Sequence, residues 1–353
     1  MQRTPLIYAL HSGNLYGTER MALYTATALS NEFEATILAP SGPVHGEARA
    51  LGLRSIEISG SRNLATVLRP LIAAAERFAF LATGVTHSLA CLWWNTIYKR
   101  PVAHLHMVHG GAEERLGYGR KRRLNGRPVQ FVAVSSYVQE RLIANGVREN
   151  QISVVENFMP DAVVGDRPVR ERFAESGIRR AAVISRLDPE KRVDVLVEAL
   201  ESDPGLRAIE IHVFGTGWDE QKLRSRAAES QLNIRFEGFQ SNVSERLAHS
   251  DLLIHLCPVE PFGLAILEAM AAGVPVLVPD EGGAGSLIEP DESGFHFQAN
   301  DPASLARAIH KIDKMPADEL NRITCRARQL LKSRFSESAR IADYRNLLWE
   351  ALQ

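Results

Sequence analysis

Two glutamates stand eight positions apart around the predicted start of an apolar helix, in the stretch 260–276. Glu260 precedes a Pro-Phe-Gly turn, Glu268 lies inside the apolar run, and Gly273 is a typical helix stop before a buried strand. The first-turn amides have no intrahelical acceptor and lie at the positive end of the helix dipole, where phosphate groups bind. The residues that supply these amides are Phe262, Gly263 and Leu264. Carboxylates on either side can accept hydrogen bonds from sugar hydroxyls, so the pattern predicts a site for a phosphorylated sugar compound.

Glu268 could instead be a solvated helix position and Glu260 a loop charge. The helix is otherwise apolar from Leu264 to Ala272, which leaves no polar outer face for Glu268. We therefore expect Glu268 to be functional.

Two cations follow another predicted strand, at 181–184, and precede a helix from Val193. Arg186 offers a planar bidentate fork and Lys191 a point charge, and both suit a diphosphate. The alternative is an ordinary strand-to-helix loop with surface cations.

Strand-like and helix-like segments alternate along the whole chain, which indicates a parallel α/β architecture. The alternation weakens at 160–178, so this segment is the predicted linker. We expect domains at 1–165 and 166–335, with 336–353 as a terminal helix. Two doubly wound domains facing a cleft would place ligands at the carboxyl ends of their strands.

The composition excludes several classes of protein. Of 353 residues, 45% are hydrophobic and 24% charged, and a net charge of -1 gives no reason to expect a nucleic-acid partner. The three cysteines are far apart, which argues against disulfides or a cysteine zinc site and fits a reducing cytoplasm. No apolar run is long enough for a signal peptide or a membrane span. A cytoplasmic protein is expected, with peripheral contact to the inner membrane surface as one option.

The stretch 260–276 resembles the E-x7-E signature of retaining glycosyltransferases of family 4, which have the two-domain GT-B fold. The resemblance implies that Glu260 faces the hydroxyls of the donor sugar and that Glu268 binds the ribose. It also implies that the amides of 262–264 hold the diphosphate, and that the terminal helix packs back on the N-terminal domain. Arg186 and Lys191 fall on the two cations of the family pattern G-R-L-x-x-x-K-G. Ser185 and Arg192 replace its two glycines.

Further segments that resemble motifs of this family follow in the order that the family pattern predicts. Gly215 resembles a glycine turn after a strand, Phe239 the wall of the nucleotide base, and Gly282 with Gly283 the glycine pair near the donor sugar. Each is weak alone, because glycine turns are common in α/β proteins. The resemblance covers 180–310 closely and the N-terminal half loosely.

In the N-terminal half, Gly17 occupies the place of a family loop that approaches the donor phosphates or the acceptor. The alternative is a plain helix N-cap at Thr18. His109, followed by glycine, resembles the family's histidine beside the reacting carbon, while His106 fits the usual spacing slightly better. Both stay candidates, although one of the histidines on this strand could simply be packed in the core.

A basic run combines Arg115, Arg120, Lys121, Arg122 and Arg123, with Trp93 and Trp94 nearby in sequence. One interpretation is a solvated loop and a core tryptophan pair. The other is a patch that contacts an anionic membrane or a lipid-linked acceptor.

The resemblance implies a retaining transfer from a nucleotide-diphosphate sugar to a glycan, lipid or small-molecule hydroxyl. No Asp-x-Asp follows a strand, so no metal or other cofactor is expected, and Arg186, Lys191 and the helix start would neutralise the diphosphate. Two alternatives remain open: a non-catalytic nucleotide-sugar-binding protein and a GT-B-fold epimerase.

Overall fold

The computed structural model describes residues 3–110, 117–164, 173, 177–240 and 243–353. It divides the chain into two compact units, which are described separately below. Unit 1 comprises residues 1–160 and 337–353, and unit 2 comprises residues 161–336.

Unit 1 is built on a parallel sheet with the strand order β3-β2-β1-β4-β5-β6-β7. Its strands are β1 (Thr4–Ala9), β2 (Phe33–Ala39), β3 (Arg54–Glu57), β4 (Phe78–Ala82), β5 (Val102–Val108), β6 (Gln130–Ala133) and β7 (Ile152–Val154). The helices described between them are α1 (Gly17–Ala28), α2 (Val44–Ala50), α3 (Ser61–Ala74), α4 (Val85–Tyr98) and α5 (Ser136–Ala144). Short 3-10 helices occur at Gly119–Leu124 and Glu149–Gln151.

Apolar side chains of β1, β4 and α3 form a buried cluster in unit 1, which includes Ile7, Leu68 and Phe80. The Ser135 hydroxyl caps the start of α5 by accepting a hydrogen bond from the Val138 amide at 3.2 Å. The strand order reverses between β1 and β4, so ligand-binding loops are expected where these two strands end.

Unit 2 contains a second parallel sheet, with the order β10-β9-β8-β11-β12-β13. Its strands are β8 (Arg180–Ile184), β9 (Glu210–Phe214), β10 (Ile234–Gly238), β11 (Leu252–Ile254), β12 (Val276–Pro279) and β13 (Phe295–Phe297). The described helices are α6 (Asp161–Val164), α7 (Val193–Ser202), α8 (Glu220–Glu229), α9 (Val243–Leu247), α10 (Leu264–Ala272), α11 (Gly282–Gly285), α12 (Pro302–Asp313) and α13 (Ala317–Arg334). Pro189–Lys191 and Pro204–Leu206 are 3-10 helices. Here the strand order reverses between β8 and β11.

The last helix, α14 (Glu337–Leu352), packs on unit 1 rather than on the unit that precedes it. Its Trp349 ring lies 5.2 Å from the Phe33 ring and donates a hydrogen bond to the Glu32 carboxylate at 2.8 Å. Tyr344 meets Phe158 edge to face at 6.3 Å. The α/β class, the two Rossmann-like sheets and the returning C-terminal helix are therefore confirmed.

Candidate active site

In unit 2 the candidate residues gather at the carboxyl ends of β8 and β11, where the strand order reverses. Arg186 and Lys191 follow β8, and Glu260 follows β11. These strands are hydrogen-bonded neighbours, so residues far apart in sequence meet at one edge of the sheet.

The Lys191 ammonium and the Glu260 carboxylate form a largely buried ion pair, with Nζ and Oε2 at 2.7 Å. Each side chain is 16% exposed. Burial alone would raise the pKa of Glu260, but the Lys191 charge and the adjacent His255 outweigh it and hold that pKa below its ordinary value. Burial opposes the charge of Lys191 as well, yet Glu260 keeps the lysine pKa above its ordinary value. Both partners are therefore ionised at neutral pH.

His255 lies beside the Glu260 carboxylate, with its Nε2 at 3.5 Å from Oε2. Burial lowers the pKa of His255 to about 4, although the glutamate works against this. The imidazole is therefore neutral at physiological pH, and the ammonium of Lys191 carries the local positive charge.

Arg186 occupies a more open position, with a side chain that is 52% exposed. Its guanidinium contacts the carboxylates of Asp188 at 2.5 Å and Glu190 at 3.2 Å. The contact with the partly exposed Glu190 contributes little stability, so the guanidinium can exchange it for a phosphate at small cost, whereas the Asp188 carboxylate is buried.

The helix α10 begins at the residue pattern that the sequence singled out. Gly263 is its N-cap with φ 105°, a left-handed conformation that a side chain would strain. The ring of Phe262 is buried against Phe335 at 5.8 Å, so Phe262 can offer a ligand only its backbone amide. Leu264 is the first residue of the helix, and its amide lies at the helix start as well. Glu268 is buried, which excludes the solvated interpretation.

Close backbone contacts through glycines fix the neighbouring loops. A Cβ on Gly215 would lie 1.9 Å from the Ser185 carbonyl oxygen, and one on Gly283 would lie 2.1 Å from that of Pro261. Gly282 has φ 75° and approaches the 258–260 backbone in the same way. The Gly283 amide also donates a hydrogen bond to the Glu260 carbonyl at 2.7 Å. Gly282 and Gly283 therefore position the loop that carries Glu260, and Gly215 packs against the loop that carries Arg186.

Two aromatic side chains stand exposed where β9 and β10 end. Phe239, named from the sequence, is 61% exposed, and Trp218 is 92% exposed. Sequence reasoning missed Trp218, whose only signal is its place directly after the Gly215–Gly217 turn. Because β9 and β10 are adjacent, both rings lie on the same edge of the sheet.

In unit 1, His106 and His109 have different surroundings. His106 is fully buried within β5, where its Nδ1 hydrogen-bonds the Ser88 hydroxyl at 2.9 Å and its ring meets Phe131 at 5.5 Å. His109 directly follows β5, and burial lowers its pKa to about 3. The geometry therefore favours His109 as the ligand-facing histidine and His106 as a packed one.

The loop after β1 leads into α1 at Gly17. Tyr16 is the N-cap, and its amide donates to the Glu19 carboxylate at 3.2 Å. The alternative of a cap at Thr18 is wrong, because Thr18 lies inside the helix. Gly17 is exposed at the start of α1, close to the carboxyl end of β1.

The basic run is only partly a surface feature. Arg120, Arg122 and Arg123 are exposed and line a pocket of about 580 Å³ with Asn145, but Lys121 is buried and cannot contact a membrane surface. Arg115 lies outside the described residues. Residues Gly119–Leu124 form a 3-10 helix instead of a solvated loop.

The tryptophan pair is not a core pair. Trp93 is exposed, whereas the Trp94 ring packs near Tyr98 at 6.1 Å and donates to the Ala65 carbonyl at 2.8 Å.

Among the described residues, none of the helices is long and apolar enough to cross a membrane. In the same part of the chain, histidine, cysteine and carboxylate side chains form no group of three that could hold a metal ion.

Comparisons with known proteins cover both units. The family description "Glycosyl transferases group 1" matches residues 170–330, and "Glycosyltransferase Family 4" matches residues 16–162. A GDP-mannose-dependent alpha-mannosyltransferase of Mycobacterium tuberculosis is 29% identical over 51% of this chain and 48% of its own length. The N-acetyl-alpha-D-glucosaminyl L-malate synthase of Bacillus anthracis is 28% identical over 57% of this chain and 54% of its own length. The chain thus spans about half the length of the curated relatives it matches.

Solved structures share the fold over nearly the full chain. The HepE protein of Anabaena, solved in complex with UDP-glucose, superposes with a TM-score of 0.84 at 19% identity, covering 99% of this chain and 100% of HepE. Sucrose-phosphate synthase of Thermosynechococcus elongatus gives 0.79 at 15% identity, with 99% of each chain covered. The two family matches, the paired sheets and the E-x7-E helix agree, and the chain belongs to the family 4 glycosyltransferases of the GT-B fold.

Proposed function

We propose that this protein is a retaining glycosyltransferase that moves a sugar from a nucleoside-diphosphate sugar to an acceptor hydroxyl without a metal ion. Unit 2 binds the donor and unit 1 binds the acceptor, a glycan, a lipid-linked sugar or a small glycoside. The observation that carries the proposal is the Lys191–Glu260 pair beside the first turn of α10.

The pair supports donor binding because it combines a fixed cation with a fixed carboxylate. Lys191 retains two further N–H donors besides the one given to Glu260, and these suit phosphate oxygens. Glu260 retains acceptor capacity for sugar hydroxyls. Glu268, buried eight residues further on, is assigned to the ribose hydroxyls.

In the proposed reaction, the bond between the anomeric carbon and the diphosphate oxygen breaks as the acceptor hydroxyl attacks from the same face. The hydroxyl proton passes to the departing phosphate oxygen. Arg186, Lys191 and the amides of 262–264 stabilise the charge that develops on the diphosphate, and preorganised stabilisation of this kind is usually the largest contribution to catalysis. His109 supports the sugar and does not act as a base, since burial keeps its imidazole neutral and not readily protonated.

We do not assign the base of the donor nucleotide, because the names of the similar proteins give different nucleotides. The mycobacterial relative is named for GDP-mannose, and the Anabaena structure contains UDP-glucose. In this chain the exposed ring of Phe239 supplies a stacking surface that is available to any base.

A thermal-shift comparison of uridine, guanosine and adenosine diphosphates tests donor binding. A ligand present at 100 times its Kd stabilises the folded state by about 2.7 kcal/mol, so one nucleotide should raise the melting temperature clearly. The conservative variant Glu268→Gln should lose most of this shift while its ligand-free melting temperature stays close to that of the wild type. Equal shifts in the two proteins would contradict the ribose assignment.

Transfer itself is tested with a panel of nucleotide sugars in the presence and absence of EDTA. Undiminished product formation with EDTA is expected, and loss of product that Mg²⁺ or Mn²⁺ restores would refute metal independence. A pure binding protein would give nucleotide-dependent thermal shifts without product, and an epimerase would convert the donor without an acceptor.

A further inference from the structure

Three arginines surround a pocket in unit 1 that the proposed reaction does not use. Arg120, Arg122 and Arg123 are exposed and line this pocket of about 580 Å³, beside Asn145 and Gly146 at the end of α5. None of the described residues that line it carries a carboxylate. Within the described part of the chain, the three guanidiniums form no ion pair. The pocket therefore concentrates positive charge in a protein whose net charge is only -1.

The 3-10 helix Gly119–Leu124 divides this basic segment into a buried side and an exposed side. In a 3-10 helix, residues three positions apart lie above one another. Lys121 and Leu124 form one such pair, and both are buried. Arg120 and Arg123 form another pair, and both are exposed. These two arginines therefore leave the helix on the same side, and both line the pocket.

Hydrogen bonds hold the two walls of the pocket together. Asn125 ends the 3-10 helix, and its Nδ2 donates to the Gly146 carbonyl at 2.8 Å. The Asn125 Oδ1 accepts the Arg148 amide at 3.3 Å. The Gly126 amide donates to the side-chain carbonyl of Gln151 at 2.7 Å. The frame of the pocket therefore does not depend on the three arginine side chains.

The arginines are not needed to cap α5. Cations stabilise the carboxyl end of a helix, where carbonyl groups lack partners, so capping is the alternative role for a basic group beside this end. Here the backbone itself supplies the cap. The Gly146 amide donates to the Ile143 carbonyl at 2.9 Å. The Val147 amide donates to the Leu142 carbonyl at 3.0 Å. The three arginines are therefore available to a ligand.

The pocket lies away from the edge of the sheet where the acceptor is proposed to bind. β6 and β7 are parallel neighbours and α5 connects them, so α5 runs from the carboxyl end of β6 back to the amino end of β7. A helix of nine residues spans about 14 Å, and the pocket is at its far end. The pocket is therefore separate from the candidate active site.

We propose that this pocket binds a ligand that carries several phosphate groups. A guanidinium matches phosphate oxygens through two parallel N–H donors, and three guanidiniums can contact neighbouring phosphates at the same time. A water molecule occupies about 30 Å³, so the pocket has room for a short chain of phosphate groups. The phosphates belong to a soluble compound or to the headgroup of a lipid. The inference does not rest on the proposed function, since no residue of the donor site takes part.

Tripolyphosphate at constant ionic strength is the soluble probe. The ¹³C-methyl signal of Ala144, which lines the pocket, reports binding there, and Ala144→Ser assigns the signal. In the wild type this signal should shift saturably. Arg120→Gln, Arg122→Gln and Arg123→Gln should each weaken binding about tenfold, as loss of one charge-assisted hydrogen bond implies. No saturable shift in the wild type, or an unchanged affinity in all three variants, would overturn the site.

The matched control removes the same charge from other exposed positions of unit 1. The pocket variant combines the three glutamine substitutions, and the control variant combines Arg49→Gln, Arg54→Gln and Arg62→Gln. The pocket variant should lose tripolyphosphate binding, and the control variant should keep the affinity of the wild type. An equal loss in both variants would mean that general attraction to basic side chains holds the probe, and it would overturn the pocket.

Folding is checked by the melting temperature. Both triple variants should melt close to the wild type, because the replaced side chains are exposed. A lower melting temperature of the pocket variant alone would point to a structural role at the end of α5 and contradict the inference. Should that variant not fold, the three lysine substitutions keep the charges and remove the planar forks. Weaker tripolyphosphate binding is then expected, and equal binding would overturn the guanidinium assignment.

Vesicles of phosphatidylcholine and cardiolipin, whose headgroup carries two phosphates, identify the source of the phosphates. Sedimentation of the wild type with these vesicles, absent in the pocket variant and reversed by tripolyphosphate, would assign a lipid headgroup. Tripolyphosphate binding without such sedimentation would assign a soluble compound.

Nucleotide binding separates this inference from the proposed function. Uridine and guanosine diphosphates should stabilise the wild type and the pocket variant equally, since donor binding belongs to unit 2. Absence of nucleotide binding in both proteins would refute the donor assignment and leave the tripolyphosphate result standing. Nucleotide binding that is lost only in the pocket variant would show that the pocket is not a separate site, and it would overturn the inference.

Discussion

Replacing His104 by leucine is expected to stabilise unit 1 and to reduce its sensitivity to acid. His104 is buried in β5, its ring meets Phe80 edge to face at 5.0 Å, and neither ring nitrogen has a hydrogen-bond partner. An imidazole without partners in an apolar setting costs free energy even when it is neutral. The apolar side chain removes that cost, so the free energy of unfolding at pH 7 should rise by about 1 kcal/mol.

The effect of pH follows from the same burial. Burial lowers the pKa of His104 from 6.5 to about 3 in the folded protein. Between these values the unfolded chain binds the proton and the folded chain does not. The stability is fully present above pH 6.5 and is lost as the pH falls towards 3. At pH 4.5 the loss from this residue is about 3 kcal/mol, because each of the two pH units below 6.5 contributes roughly 1.4 kcal/mol.

Urea unfolding at pH 7 and pH 4.5, followed by tryptophan fluorescence, measures this change. Trp93, Trp94 and Trp349 lie in unit 1, whereas Trp218 in unit 2 is so exposed that its emission should change little on unfolding. The difference in unfolding free energy between the two pH values should be about 3 kcal/mol smaller in His104→Leu than in the wild type.

The control is Met107→Leu, a conservative change at a buried position of the same strand that adds or removes no titratable group. It should preserve the wild-type pH dependence. If His104→Leu loses stability between pH 7 and pH 4.5 by the same amount as the wild type, the reasoning from buried neutral histidine is refuted.

Three further predictions concern unit 2. Lys191→Met and Glu260→Gln should each destabilise the unit by about 3 kcal/mol, because each leaves a buried charge unpaired. The double variant should lose less stability than either single variant. Hydrogen exchange in β8 and β11 measures the stability of all three variants, and additive losses would contradict the pairing. Gly283→Ala should lower the melting temperature and abolish nucleotide binding, because the alanine Cβ would lie 2.1 Å from the Pro261 carbonyl oxygen. Calorimetry measures the binding, and normal nucleotide binding by the variant would show that the loops do not need this close contact. Phe239→Ala should weaken nucleoside diphosphate binding by about 1–3 kcal/mol without changing the melting temperature of the free protein, and unchanged affinity would exclude base stacking.

The regular elements around the unit 2 site were predictable because local signals and burial agree there. The pattern from 260 to 276 contains a helix start, an apolar run and a glycine stop, and α10 has the predicted end at Ala272. The cations Arg186 and Lys191 were predicted from residue type and position after a strand. The contact between Lys191 and Glu260 was not predicted, since it depends on the pairing of β8 with β11, which sequence spacing does not encode.

The N-terminal half was less predictable for a physical reason. The strand Phe78–Ala82 is apolar at all five positions, because both of its faces are buried, and so it lacks the alternation that marks a strand. Without it, Thr83 could not be placed between His11 and His109. The burial of Lys121 was equally hidden, because a lysine within a run of arginines resembles a solvated surface segment.

The glycine contacts of unit 2 determine which residues around the Glu260 loop can be substituted. Gly215 and Gly283 hold their loops through backbone atoms, so the geometry around Glu260 owes little to the neighbouring exposed side chains. Trp218 and Phe239 project from this frame into solvent. Under the proposed function, substitutions at these two positions should change which base is accepted without changing the scaffold, and a library randomised there should consist mostly of folded proteins.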